Sequence, residues 1–274
     1  MYDLSGKVLI VTGAGSGMGR EITLLLLKRG ATVAAVDIND EALTETAALA
    51  GSPPALASFP LDIADRQAVE ALPARVIAAF GAVDGVINNA GIIQPMIMVD
   101  ELGFDLIEKV MAVNFWGPLY LTKALLPHLK TRPAAHIVNV SSMGGFLPVP
   151  GQTIYGASKA AIKLLTEGLH SELAETNVKV TVVFPGAIST NIAKNSGLGN
   201  YQERMMAGDG AAKVKTPPMT SAPDAARIIV DGMERDAYRV LVGRDATFMD
   251  FLYRLAPQRA AAFIYKQMKS ILSS

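Results

Sequence analysis

The 274-residue sequence has no cysteine, which excludes disulfides, iron–sulfur clusters, thiol nucleophiles and cysteine-based zinc sites. Its three histidines, His128, His136 and His170, are too scattered to form a helical ligand pair, so no metal centre is expected. Neither charge is in excess: 25 Lys plus Arg stand against 25 Asp plus Glu, and a formal net charge of zero gives no bulk field to gather nucleic-acid phosphates. No apolar run approaches the ~20 residues that span a bilayer. The longest leucine block, Leu24 to Leu27, stops at Lys28 and Arg29. The first residues lack the long apolar region and small-residue cleavage site of a secretory signal, so a cytoplasmic protein without a transmembrane segment is expected. What is present suffices for a core: 50% of residues are hydrophobic, 18% are charged and the mean hydropathy is +0.31. The length fits one large α/β domain.

Seven short, mostly β-branched apolar runs read as strands: Lys7 to Thr12, Thr32 to Asp37, Ala55 to Asp62, Gly85 to Asn88, Ala135 to Val140, Lys179 to Phe184 and Arg239 to Val242. Between the first six lie stretches of helical period, Arg20 to Arg29, Glu41 to Leu49, Gln67 to Phe80, Phe104 to Lys130 and Ala157 to Glu175; Ala222 to Arg235 precedes the seventh. Continuously apolar strands joined by helical crossovers predict a doubly wound parallel sheet covered on both faces. Residues 1–244 form this domain in our reading, with 191–221, rich in glycine and polar residues, as a long lid after the sixth strand. Residues 245–274 read as an amphipathic helical tail, because Phe248, Phe251, Leu252 and Leu255 recur at helical spacing and a second segment follows Pro257.

The first strand runs into Thr12-Gly13-Ala14-Gly15-Ser16-Gly17-Met18-Gly19 and then a helix. A strand, a glycine turn and a helix make an anion site, since glycine lets backbone approach a pyrophosphate and the helix presents free N–H groups. Gly13, Gly17 and Gly19 carry the spacing. Asp37 ends the second strand, where a carboxylate can accept hydrogen bonds from adenosine ribose hydroxyls. It would repel a 2′-phosphate, and neither Ser16 nor Ile38 offers a cation, so NAD is favoured over NADP. Helix capping there belongs better to Asn39 or Asp40. Tyr155 and Lys159 stand one helical turn apart, and an ammonium beside a phenol would lower its pKa and let the pair exchange a proton with a carbonyl or hydroxyl. Taken singly, such a pair is common on exposed helices, Asn114 could simply bond backbone inside a long helix, and Ser142 could be an ordinary cap.

Taken together, Thr12 to Gly19, Asn88-Asn89-Ala90-Gly91, Asn114, Ser141-Ser142, Tyr155 to Lys159 and Pro185-Gly186-Ala187-Ile188-Ser189-Thr190 occur in order. In this the chain resembles the short-chain dehydrogenase/reductase family over residues 5 to 243. The resemblance implies a single Rossmann domain whose catalytic residues are Asn114, Ser142, Tyr155 and Lys159. The serine thirteen residues before the tyrosine selects Ser142. It would hold the substrate oxygen, Tyr155 would move its proton, Lys159 would hold the nicotinamide ribose, and Asn114 would position a water leading to solvent. The coenzyme would be NAD. Gly13, Ser16, Gly17, Met18, Gly19 and Asp37 would hold its pyrophosphate and adenosine ribose, Asp62 and Ile63 the adenine, and Asn89, Ala90 and Gly91 the adenosine side of the cleft. Pro185, Gly186, Ile188 and Thr190 would contact the carboxamide. A homodimer or homotetramer built on Phe104 to Lys130 and Ala157 to Glu175 is also implied.

Ile93, Gln94, Met143, Phe146, Pro148 and Val149 are expected to flank the reacting carbon, with Met205, Met206 and Met219 in the lid. They suggest a hydrophobic secondary alcohol or ketone, although the methionines could equally fill core gaps. Lys194, Arg204, Lys213 and Lys215, also in the lid, leave an acidic substrate open. Two other readings stand beside this one: an NAD-sensing scaffold without catalysis, and a 3-oxoacyl reductase acting on an acidic carrier protein. The intact Ser142, Tyr155 and Lys159 set argues against the first, and Asp37 with the neutral overall charge against the second. In the tail, Arg259, Lys266 and Lys269 lie opposite Phe263, Ile264, Met268, Ile271 and Leu272 with no acid. Packing on the protein's own domain or on a second subunit is preferred there to lying on a membrane surface.

Overall fold

The computed structural model describes residues 1–190, 192–198 and 219–272. Its main sheet holds β1 (Val8–Thr12), β2 (Thr32–Asp37), β3 (Leu56–Pro60), β4 (Gly85–Asn88), β5 (Ala135–Val140), β6 (Val178–Pro185) and β9 (Arg239–Val242). All neighbours are parallel, in the order β3-β2-β1-β4-β5-β6-β9. A two-residue pairing of β7 (Ile188–Ser189) with β8 (Thr220–Ser221) closes the ends of the expected lid. The remainder of that lid, residues 191 and 199–218 with Met205, Met206, Arg204, Lys213 and Lys215, lies outside the described residues.

The strands read as continuously apolar because each serves two cores. Leu9 and Val11 of β1 face the side covered by Ile22 and Leu26 of α1 (Gly17–Lys28) and by Ile229, Val230 and Met233 of the Ala222–Glu234 helix. Val8 and Ile10 face α3 (Arg66–Phe80), through Val69, Leu72 and Val76, and α5 (Gly117–Leu129), through Leu121, Leu125 and Leu129. The strand period of two delivers successive residues to opposite faces. Local chemistry sets several helix starts. Asn39 caps α2 (Asp40–Leu49) by accepting from Ala42 N at 3.0 Å, and Asp65 caps α3 by accepting from Ala68 N at 3.1 Å.

Two expected helices differ from the structure. Phe104 to Lys130 is not one helix: α4 (Phe104–Met111) widens into a π segment, Ala112–Trp116, before α5 begins. The residue that would close an α-helical bond on the Asn114 carbonyl is Pro118, which has no N–H, so the regular ladder is interrupted there. The last long helix before β6, α6 (Thr153–Glu172), starts four residues earlier than expected and takes Tyr155 into its first turn. The tail forms two helices, Arg244–Leu255 and Pro257–Leu272. They pack on the chain's own domain, where Met249, Leu252, Tyr253, Ala260 and Ile264 cluster with Phe146 and Leu147. Phe248, Phe251, Leu255, Phe263 and Tyr265 remain exposed. Among the described residues no helix is long and apolar enough to cross a membrane, and no group of three or more metal-ligating side chains comes together.

The parallel order puts β1 between β2 and β4, so the chain leaves β1 toward one side of the sheet and returns on the other. At such a switch point the loops at the carboxyl ends of adjacent strands part and leave a crevice. The glycine turn after β1 and Asn89–Gly91 after β4 form its two lips.

His136 on β5 provides a test of the packing beneath the sheet. It is fully buried, with Nε2 2.9 Å from Thr181 Oγ1, while Nδ1 faces Asp236 Oδ1 at 3.6 Å, beyond hydrogen-bond reach. Burial, and then the charge of Lys179, push its pKa from 6.5 down to about 3. The unfolded chain takes up this proton near pH 6.5 and the folded chain does not. Stability present above pH 6.5 is therefore lost at up to about 1.4 kcal/mol per unit as the pH falls from 6.5 toward 3. Urea unfolding of His136→Gln should show a shallower pH dependence between pH 6.5 and 5 than the parent chain; equal slopes would remove His136 from the account.

Candidate active site

Gly13, with φ of +70°, and Gly19 serve close packing. A Cβ on Gly13 would lie 2.9 Å from Asn89 Nδ2, and one on Gly19 would overlap the Gly13 carbonyl oxygen. Gly13 also lines, with Ser16, Gly17 and Met18, a cavity of about 300 Å³ at the mouth of the crevice, and Gly19 does not. Ser16 precedes α1 without making a side-chain cap, so the first N–H groups of that helix keep no side-chain acceptor from their own N-cap. Thr12 ties the two lips together: its Oγ1 accepts from Asn89 N at 3.0 Å and Ala90 N at 3.1 Å, and its carbonyl accepts from Asn89 Nδ2 at 3.0 Å. Asn89 Oδ1 is buried without a partner, which suits a ligand bringing a hydrogen-bond donor into the cavity.

Asp37 is held from two sides, Oδ2 accepting from Gly15 N at 2.9 Å and Oδ1 from Asn39 N at 3.0 Å. A Cβ on Gly15 would stand 2.9 Å from that carboxylate oxygen. Gly15 therefore belongs to the site although the sequence reading passed over it; its only signal was a further glycine inside the turn. Asp62, Ile63, Ala90, Gly91 and Thr190 line the same cavity as expected, joined by Lys109, Val113, Ile192, Asn195 and Ser196, which sequence did not single out. The last two also bridge it: Asn195 Nδ2 donates to Ser16 Oγ at 2.7 Å, and Ser196 Oγ accepts from Ile93 N at 2.9 Å. Of the expected carboxamide contacts only Thr190 lines the cavity. Gly186 N donates to Val242 O at 2.9 Å, and the Gly186 Cα faces the carboxylate of Asp245, which accepts from Ala187 N at 2.6 Å; Pro185 ends β6 and Ile188 opens the two-residue β7 beside it.

The residues expected to be catalytic converge next to this cavity. The Ser142 hydroxyl and the Tyr155 ring meet at Gly144, where a Cβ would stand 3.5 Å from each. Ser142 Oγ accepts from Gly144 N at 3.1 Å, so it caps the turn beside the phenol. Lys159, one turn along α6, is buried and donates from Nζ to the Val140 carbonyl at 3.0 Å, with the tyrosine ring centroid 5.9 Å away. Gly91 connects the two halves of the site, since a Cβ there would stand 3.1 Å from Lys159 Nζ and 3.2 Å from Asn114 Oδ1. Asn114 spends its side chain on backbone and helix: Oδ1 accepts from Ile92 N at 2.9 Å, and Nδ2 donates to Ile92 O at 2.9 Å and Ser158 Oγ at 3.0 Å.

One electrostatic expectation is corrected. Burial raises the Tyr155 pKa above its ordinary value, and only the Ser142 hydrogen bond pulls it down. The ammonium does not offset this, because its hydrogen bond goes to Val140 O and burial itself pushes Lys159 down to about 8. The phenol thus keeps its proton at neutral pH and the lysine sits close to releasing one. Gln94 is also corrected: it is fully buried and bonded, and does not flank a reacting carbon.

Residues 7–200 match the short chain dehydrogenase family model. The chain is 40% identical over 261 residues to SadH of Mycobacterium tuberculosis, a candidate oxidoreductase by name, covering 93% of this chain and 92% of that protein. It is 36% identical over 244 residues to dehydrogenase/reductase SDR family member 7B of Mus musculus, covering 87% and 74%. A short-chain dehydrogenase/reductase of Burkholderia phymatum in complex with NAD superposes with a TM-score of 0.83 at 25% identity, over 94% of this chain and 96% of that one. A short chain dehydrogenase of Burkholderia cenocepacia J2315 in complex with NADP superposes with a TM-score of 0.79 at 28% identity, over 96% and 99%. The chain belongs to the short-chain dehydrogenase/reductase family. It is an oxidoreductase of that family.

The depressed lysine pKa makes a stability prediction. A folded-state pKa of about 8 against 10.5 means that the fold opposes the ammonium, a cost of roughly 3 kcal/mol that is complete below pH 8 and disappears as the pH rises toward 10.5. Lys159→Met should therefore raise the thermal midpoint at pH 7, with the gain shrinking by pH 10. A lowered midpoint at pH 7 would contradict the assignment.

Proposed function

We propose that the chain is an NAD-dependent dehydrogenase or reductase acting on a hydrophobic secondary alcohol or the matching ketone. The observation that carries the coenzyme reading is the Asp37 carboxylate, fixed by Gly15 N and Asn39 N on the cavity wall. Two ribose hydroxyls can donate to it, whereas a 2′-phosphate would meet its charge. Lys109 is the only Lys or Arg among the described residues lining the cavity, and Asp37 and Asp62 face it as two acids. Relatives of this fold in complex with NAD and with NADP both exist, so the coenzyme preference rests on Asp37. The orphaned Asn89 Oδ1 and the turn at Gly17, where φ is +53°, fit a dinucleotide laid across the two lips.

A bound nicotinamide supplies or accepts the hydride; the chain supplies position and the proton. Ser142 and Tyr155 both approach Gly144, so a substrate oxygen placed between their hydroxyls would receive two partners. In reduction Tyr155 gives its hydroxyl proton to the carbonyl oxygen as hydride reaches the carbon, and in oxidation the phenolate takes that proton back. Lys159, pushed down to about 8 by burial, is placed to replace the phenol's proton. Beside Ser142, Met143 and Phe146 are half-buried and Val149 and Pro150 partly so, which supports an apolar substrate. Exposed Phe104, Trp116 and Leu164 on α4, the π segment and α6 support a homodimer or homotetramer through those helices.

Tyr155→Phe should bind NADH as the parent does and lose turnover by roughly 10²- to 10⁴-fold in a panel of alcohols and ketones read at the nicotinamide absorbance. Retained turnover would refute the role of the phenol. In the same panel the parent should prefer NADH over NADPH, and Asp37→Ser should move that preference toward NADPH by about tenfold or more, the effect of about 1.4 kcal/mol of relieved repulsion. An unmoved ratio would remove Asp37 from coenzyme choice.

A further inference from the structure

The helix that carries the acid–base pair lacks a cap of its own. Gln152 occupies the N-cap of α6 and makes no side-chain capping bond. The third helical N–H, that of Tyr155, is satisfied from 61 residues away, donating to Gln94 Oε1 at 2.9 Å. The other end of the same amide, Gln94 Nε2, donates to the Gly151 carbonyl at 3.0 Å, and Gln152 Nε2 donates back to the Gln94 carbonyl at 2.7 Å. Gln94 has no exposed surface. Its two preceding residues are fixed as well, Ile92 to Asn114 through both backbone groups and Ile93 to Ser196. Asn114 in turn bonds Ser158, whose hydroxyl donates to the Tyr155 carbonyl at 2.7 Å. Tyr155 is thus held at its N–H by the segment that continues directly from Asn89–Gly91 of the cavity wall, and at its C=O by Ser158 of its own helix, which Asn114 links to that segment.

We propose that Gln94 is a positioning residue for proton transfer, keying the first turn of α6, and with it the Tyr155 phenol, to the coenzyme-side loop. This rests on the reading of Tyr155 as the acid–base group. A glutamine side chain meets both demands of the site, an acceptor for the tyrosine N–H and a donor for the glycine carbonyl. A thioether of similar length meets neither and leaves two buried backbone groups unpaired. A glutamate meets both only when protonated, through its carbonyl and its hydroxyl; the partners of this side chain, Tyr155 N and Gly151 O, do not titrate.

The test compares Gln94→Met and Gln94→Glu with the parent and with Tyr155→Phe, using NADH with cyclohexanone and acetophenone as probes. Gln94→Met should keep NADH affinity within about threefold, lose kcat roughly 10- to 100-fold and leave KM little changed, since a small misplacement of a reacting group acts on the chemical step. Amide hydrogen exchange should quicken over residues 152–158 and not over the rest of α6. Gln94→Glu should regain activity relative to the parent as the pH is lowered from 8 to 5.5, a rescue that general loosening of the fold would not produce. Parent-like kcat in Gln94→Met, or a Gln94→Glu deficit independent of pH, overturns the proposal. Should Tyr155→Phe remain active, the acid–base reading fails and takes this one with it; an inactive Tyr155→Phe beside a fully active Gln94→Met sinks the positioning role alone. Should neither ketone react with the parent, unchanged exchange over 152–158 in Gln94→Met overturns the keying, and faster exchange confined to that stretch upholds it.

Discussion

The close approach of two backbone segments above the sheet is the constraint on which the rest depends. Because β1 and β4 are parallel neighbours, the turn that ends one and the loop that ends the other emerge side by side. They can touch only because side chains are missing at the contact: Gly13 lies against Asn89 and Ala90, Gly19 against Gly13, and Gly91 against Lys159 and Asn114. Thr12 then ties the contact with two hydrogen bonds to consecutive N–H groups. The result is a continuous run of packed backbone from the glycine turn to the amine beside the Tyr155 phenol. Small shifts at one end are therefore felt at the other.

That run carries costs which the two cores offset. Lys159 is buried with its charge opposed, burial keeps Tyr155 protonated, and Asn89 Oδ1 has no partner. None of these features serves folding, and each is useful to a site that must accept polar ligand groups and move a proton. The fully buried residues of β1 and the helices on both faces supply the stability that permits them. The tail adds a support of its own, since Asp245 holds the Ala187 N–H of the loop after β6 while Met249 and Tyr253 pack near the loop that carries Ser142.

How much of this was legible in the sequence depends on how local each cause is. The strands were readable because burial on both faces leaves an apolar run, and Asn39 because a cap acts within three residues. The order of motifs singled out Ser142, Tyr155 and Lys159, which the fold brings near one another. What was not legible has long-range causes. The first turn of α6 was missed because Gln152 does not cap it and the distant Gln94 does. Gln94 itself looked like a pocket residue because nothing nearby in sequence shows which atoms its amide meets. Pro118 was a readable sign of the break at Asn114, yet the apolar period on both sides masked it. The raised pKa of Tyr155 follows from burial, which spacing alone does not reveal.

The most direct measurement of the central claim is a crystal structure of the chain grown with NAD. The packing described above predicts adenosine ribose hydroxyls on the Asp37 carboxylate, the pyrophosphate over Ser16–Met18, and the nicotinamide ring between Thr190 and the Tyr155 hydroxyl. A dinucleotide lying in the reverse sense, or one whose reactive ring sits away from that phenol, would contradict it.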